Sequence, residues 1–157
     1  MSQVQVRHKS SVKKQENWHQ SYDVVTHNDV IDAYLKGKEV GRDEVKLAMY
    51  RLFQTNLSKA QDNSEKLNEQ LKKIGINISQ IHLKADNLTD FGALVIATKE
   101  DYISENFLKA ISVARGIKKY SHSEDFCINF SFTYQAKTFD EDCLNADGYF
   151  LKYYADA

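Results

Sequence analysis

One acidic run is Asp140, Glu141, Asp142 and Asp147, with Cys143 and Asn145 among them. Carboxylates so close together suggest a site for a hard cation. An EF-hand loop needs oxygen ligands at positions 1, 3 and 5, glycine at 6 and glutamate at 12. Counted from Asp140, positions 5, 6 and 12 hold Leu144, Asn145 and Leu151, so that pattern fails. The segment reads as a solvated hairpin loop. Neighbouring carboxylates disfavour a Cys143 thiolate, and Cys127 has no base nearby in sequence, so neither has the surroundings of a nucleophile.

The histidines are His8, His19, His27, His82 and His122. No pair has the i, i+4 spacing of helical metal ligands, and no His-Glu-x-x-His is present. In "SHSED" (121–125) His122 stands near Glu124 and Asp125. That is the make-up of a carboxylate-oriented general base, and equally of an ordinary loop between helix and strand. "GKEVGR" (37–42) sets Lys38 and Arg42 beside two glycines, but only three residues separate the glycines where a P-loop needs four. Asp43 and Glu44 then occupy the first helical turn and repel an anion, so the segment is a helix–helix turn. These readings name no catalytic residue, no metal and no cofactor, and they favour a non-enzymatic protein.

A surface with recognition chemistry is Phe150, Lys152 and Tyr154, which alternation puts on one strand face with Asn129, Ser131 and Thr133. Aromatic rings beside a lysine on a sheet can stack bases. However, residues 121–157 carry two lysines against seven acids, a balance of −5, and phosphate binding needs the opposite sign. Nucleic acid is therefore disfavoured, and this face is expected to be a second protein-contact surface.

The elements that must position these residues follow from the rest of the chain. Its 157 residues, 42% hydrophobic and 27% charged, suit one globular domain with a single core. The net charge is −1, with a balance of +3 in residues 1–20. Two cysteines cannot make a disulfide framework, and the longest apolar run, "GALVIA" (92–97), is too short to span a bilayer. With no apolar stretch at the N-terminus, the expected setting is cytoplasmic and not membrane-bound.

Residues 1–22 read as a polar arm in which Val4 and Val6 form a short edge strand and Trp18 anchors the arm to the core. Residues 23–157 read as a single α+β domain. A first helix starts near Thr26 or Asn28 and ends at Gly37. In a second, long helix, Tyr50, Phe53, Leu57, Ala60, Ser64, Leu67, Leu71 and Ile74 recur at alternating spacings of three and four. That is a heptad seam. Over about 42–73 the helix would be longer than the domain is wide, so the stretch around 55–74 is expected to project as a helical extension. A break at "DNSE" (62–65) is the competing possibility.

After Gly75 the hydrophobic period changes to two. Ile76–Ala85 and Ala93–Thr98 outline a hairpin, the second strand apolar on both faces and hence interior. Ser104 caps a third helix that turns Phe107, Leu108, Ile111, Val113, Ala114 and Ile117 to the core. The strand "FCINFSFTYQ" (126–135) follows, with Phe126, Ile128, Phe130, Phe132 and Tyr134 on the face beneath the helices. "YFLKYYA" (149–155) pairs with it as a second hairpin through Asp147-Gly148.

The resulting order is N-terminal helices, one of them long, followed by a ββαββ unit. It predicts a four-stranded, mainly antiparallel sheet packed on helices, a two-layer sandwich that is ferredoxin-like by analogy. The functional expectation is a protein-interaction or assembly module that binds a protein partner or itself. Homo-oligomers would form through Tyr50, Phe53, Leu57, Leu67, Leu71 and Ile74. The alternative is a small enzyme or ligand-binding domain with a pocket between sheet and helices.

Overall fold

A computed structural model describes residues 17–20, 31–32, 43–137 and 139–155. The expected Val4–Val6 strand, most of the first helix and the turn over 37–42 lie outside those residues. The described chain is α+β: a long helix followed by a mixed five-stranded sheet packed on helices. No described helix is long and apolar enough to cross a membrane.

Helix α1 (Asp43–Lys73) is continuous through "DNSE". Its dipole meets Asp43 and Glu44 at the start and Lys72 and Lys73 at the end. It stops in a Schellman arrangement. Gly75 turns to φ +82°, the Ile76 amide donates to the Leu71 carbonyl at 2.9 Å, and the Gly75 amide donates to Lys72 at 3.1 Å.

The buried residues of α1 are Phe53, Asn56, Ala60, Ser64, Leu67, Asn68 and Leu71. This corrects two expectations. The 55–74 stretch does not project, because it lies across the domain's own sheet. Phe53, Leu67 and Leu71 have no exposed surface, while Tyr50, Leu57 and Ile74 pack half-buried against the same core. The heptad seam is thus filled within one chain. It is the other end of α1, residues 43–52, that carries no fully buried residue.

The sheet contains β1 (Trp18–Gln20), β2 (Ile78–Ala85), β3 (Asp90–Ala97), β4 (Cys127–Tyr134) and β5 (Tyr149–Tyr154), in the order β1-β5-β2-β3-β4. β2 and β3 form the expected hairpin, and β3 is interior. At their turn the Asn87 carboxamide oxygen accepts from the amides of Thr89 and Asp90, both at 2.8 Å. Trp18, within the arm, is buried against Tyr153 and donates to Glu65 of α1 at 3.0 Å. β1 therefore makes the sheet five-stranded instead of four-stranded.

The second hairpin is not formed. β4 pairs with β3, in parallel, through an unbroken register from Asp90↔Cys127 to Ala97↔Tyr134. A parallel pair needs a crossover, which α2 (Lys99–Tyr102) and α3 (Phe107–Ser121) supply on the α1 side. β5 runs antiparallel to β2, and hence in the same direction as β3 and β4. The return from β4 to β5 is therefore a crossover too, containing α4 (Glu141–Ala146). It passes the opposite face, where Phe139 meets His82 and Glu141 meets Lys152. Two crossovers running in opposite directions keep the same hand only on opposite faces, as here. Asp147-Gly148 ends α4 instead of turning a hairpin, Gly148 having φ +96°.

Two details of α3 also differ from expectation. Thr98 caps α2, and the Ser104 hydroxyl donates to the Asp101 carbonyl without capping a helix. Ala110, Ala114 and Ile117 form the buried stripe of α3, which leaves Leu108 exposed.

If α1 is core, truncating Leu71 to alanine should cost about 2–5 kcal/mol of folding stability. Denaturant unfolding should give the same loss at low and high protein concentration. A loss that vanishes on dilution would restore the seam as an interface between subunits.

Candidate functional site

Strand β4 alternates as its sequence suggests, but its burial falls along its length. Phe126 and Ile128 are buried; Phe130, Phe132 and Tyr134 are only half-buried. The cause is position: β4 is an edge strand, and α3 covers its start more fully than its end. Between α3 and the outer part of β4 lies a groove of about 400 Å³. Phe107, Ile111, Ala114, Arg115 and Lys118 line one side of it, and Asn129, Phe130 and Phe132 the other.

Aromatic packing builds the far end of this groove. Tyr102 lies 4.8 Å from Phe107 and 5.2 Å from Tyr134, centroid to centroid, and Phe107 meets Phe132 edge-on at 5.3 Å. Helix α2 holds Tyr102 there, since the Thr98 hydroxyl accepts from the Asp101 amide and Asp101 accepts in turn from the Asn77 amide. Ile103 and Leu108, next in sequence to Tyr102 and Phe107, are 71% and 72% exposed. Arg115 and Lys118 stand on the rim, and the Lys118 ammonium donates to the Asn129 carboxamide.

The second contact face is only partly as expected. Opposite the Leu83–Lys84 register shift, Leu83 pairs with Leu151 and Lys84 with Tyr149, leaving Phe150 as the extra residue. Phe150 is 4% exposed and belongs to the core, so it is not a contact residue. Tyr149 takes the outer face instead, under Lys84 at 5.2 Å. Lys152 and Tyr154 do share that face, and Lys152 is already engaged: it donates to Glu141 at 2.7 Å and to the Tyr154 hydroxyl at 3.0 Å.

His82, which no local pattern singles out, is the buried titratable group of this region, 4% exposed. It lies between Phe139, Tyr149 and Lys152, with a ring nitrogen 3.0 Å from the Gln80 carboxamide oxygen. Burial, then the Lys152 charge, lower its pKa to about 4, partly opposed by Glu141. Burial also works to lower Lys152, but its bonds to Glu141 and Tyr154 outweigh this and hold it above the ordinary lysine value.

The remaining candidates do not assemble into a reaction centre among the described residues. Asp140 caps α4, accepting from the Asp142 amide at 2.9 Å, which gives the acidic run a structural task. The Cys143 thiol donates to Asp140, and that bond with the surrounding carboxylates raises its pKa. That direction disfavours a nucleophile. His122 is exposed at the end of α3, and Cys127 is half-buried on β4. No described cluster of three His, Cys, Asp or Glu could hold a metal ion.

No protein-family model matches the chain, and neither a curated protein nor a solved structure does.

His82 gives the fold an acid limit. The unfolded imidazole takes its proton near pH 6.5, the folded one only near pH 4, so stability falls as pH drops through that window. Between pH 7 and pH 5 the loss should be about 2 kcal/mol. Denaturant unfolding of wild type and His82→Gln should show their stability difference falling by that amount. A difference independent of pH would mean an ordinary imidazole.

Proposed function

We propose that the protein is a non-enzymatic interaction module that docks an extended segment of a partner protein along the edge of β4, its side chains entering the adjoining groove. The observation that carries this reading is an edge that no described strand pairs with. Natural edge strands are blunted by charge, proline, a bulge or a short length. Cys127–Tyr134 is eight residues long, has no charged residue and no proline, and keeps an unbroken register with β3. An added strand would find backbone partners along it, and Phe130, Phe132, Ile103 and Leu108 would supply the apolar contacts.

The long helix is not the docking element in this proposal, because its apolar stripe is occupied by the sheet. Self-association through β4 is a special case, in which the partner segment belongs to a second copy. A small-molecule site is the second reading. The groove volume is adequate for it, but its polar lining residues, Arg115, Lys118 and Asn129, are all exposed, and none is buried to orient a ligand. An RNA-binding face is weakened by the burial of Phe150 and the pairing of Lys152.

Random peptides displayed and selected on the protein should converge on alternating apolar sequences. The selected peptides should lose at least about tenfold in affinity when their backbone amides are N-methylated, and similarly against the Ile103→Asp, Leu108→Asp double variant. Both substitutions are at exposed positions and should leave the thermal transition unchanged. Selection of nothing, or of peptides indifferent to N-methylation, would overturn the docking reading.

A further inference from the structure

We infer that the segment docked on β4 is acidic: an extended strand whose carboxylates meet Arg115, Lys118 and Lys119 while alternate apolar side chains enter the aromatic groove. This rests on the docking reading and adds the chemistry that selects the partner. Helix α3 carries Lys109, Arg115, Lys118 and Lys119 and no acid, in a chain whose net charge is −1. Arg115 and Lys118 line the aromatic groove, and with Lys119 and His122 they line an adjoining hollow of about 360 Å³. The basic ridge and the apolar trough are therefore one continuous surface.

Among the described residues no carboxylate pairs with these cations. Lys118 has a neutral carboxamide as its partner. The helix dipole accounts for Lys118 and Lys119 in the last turn of α3. It does not account for Arg115, which lies further from the helix end and on the groove side. A guanidinium there is suited to a two-pronged bond with a carboxylate. Exposed charges of this kind contribute selectivity and association rate more than affinity. The groove rings also tilt against one another, at 51° and 86°, and offer no flat platform for stacked bases. That favours an acidic peptide over a nucleic acid.

The test uses fluorescent peptides that alternate valine or phenylalanine with glutamate, with glutamine, or with lysine, and a single-stranded oligonucleotide, each titrated onto the full chain by anisotropy. The glutamate peptide should bind at least about tenfold more tightly than the glutamine peptide at low salt, with the gap narrowing as salt is added. The Arg115→Glu, Lys118→Glu double variant should abolish the preference or transfer it to the lysine peptide. Equal binding of the glutamate and glutamine peptides overturns the acidic inference and leaves the docking reading standing. Failure of all three peptides overturns both, and so does tighter binding of the oligonucleotide. Circular dichroism of the double variant establishes that a lost preference is not a lost fold.

Discussion

The parallel pairing of β4 with β3 is the constraint on which the rest of the molecule depends. Parallel neighbours cannot be joined by a tight turn, so the chain leaving β3 must build a crossover, and α3 is that crossover. Having moved outward to β4, the chain must return to β5 in the same direction, on the other side of the sheet if the hand is kept. The return carries Phe139 and α4 over His82, which desolvates the imidazole and brings Glu141 to Lys152. The same pairing leaves β4 at the edge of the described sheet, with one flank of its aromatic face uncovered by the described residues. The groove on one face and the buried histidine on the other are two results of one choice of strand partner.

Helix α1 holds this arrangement together from above. Its Asn56 carboxamide donates to the Leu88 carbonyl at 2.8 Å and to the Asp125 carbonyl at 2.7 Å, tying the β2–β3 turn to the loop before β4. Beside it the Phe53, Phe91 and Phe126 rings follow one another at 5.8 and 5.9 Å, from the helix through β3 to the start of β4. At its other end Lys72 donates to the Ala155 carbonyl beyond β5. The helix therefore crosses the sheet obliquely, and of its 31 residues, about 46 Å long, those from Phe53 onward supply the buried side chains.

Much of this was legible in the chain, and the failures share a cause. The limits of α1, the β2–β3 hairpin, the interior position of β3 and the alternation of β4 all follow from local periodicity. What periodicity does not encode is the identity of the covering element. Phe53, Leu67 and Leu71 have the spacing of a coiled-coil seam, yet the same spacing serves a helix lying on a sheet. Likewise an alternating strand followed by a glycine turn is as consistent with a crossover as with a hairpin. The bulge at Phe150 inverts two side chains without any sequence mark, and His82 gains its surroundings from residues far along the chain. Of the candidate site, the aromatic residues of β4 could be read in advance. The openness beside them could not, because it depends on which stripe of α3 faces inward, and Ala110 and Ala114 decide that through their small size.

The pairing of β1 with β5 bears on how the protein can be made. Trp18 lies opposite Tyr153, so the earliest described strand closes on the latest one. The β2–β3 hairpin and the β3–α3–β4 unit can form during synthesis from contacts of modest sequence separation. The closure of β1 on β5, with the docking of Trp18 against Tyr153, has to wait until β5 has emerged from the ribosome. Contacts of such high order slow folding and prolong the life of partly assembled states. Throughout that interval the uncharged strand β4 is already present, and an edge of that kind pairs readily with other chains while a fold is incomplete.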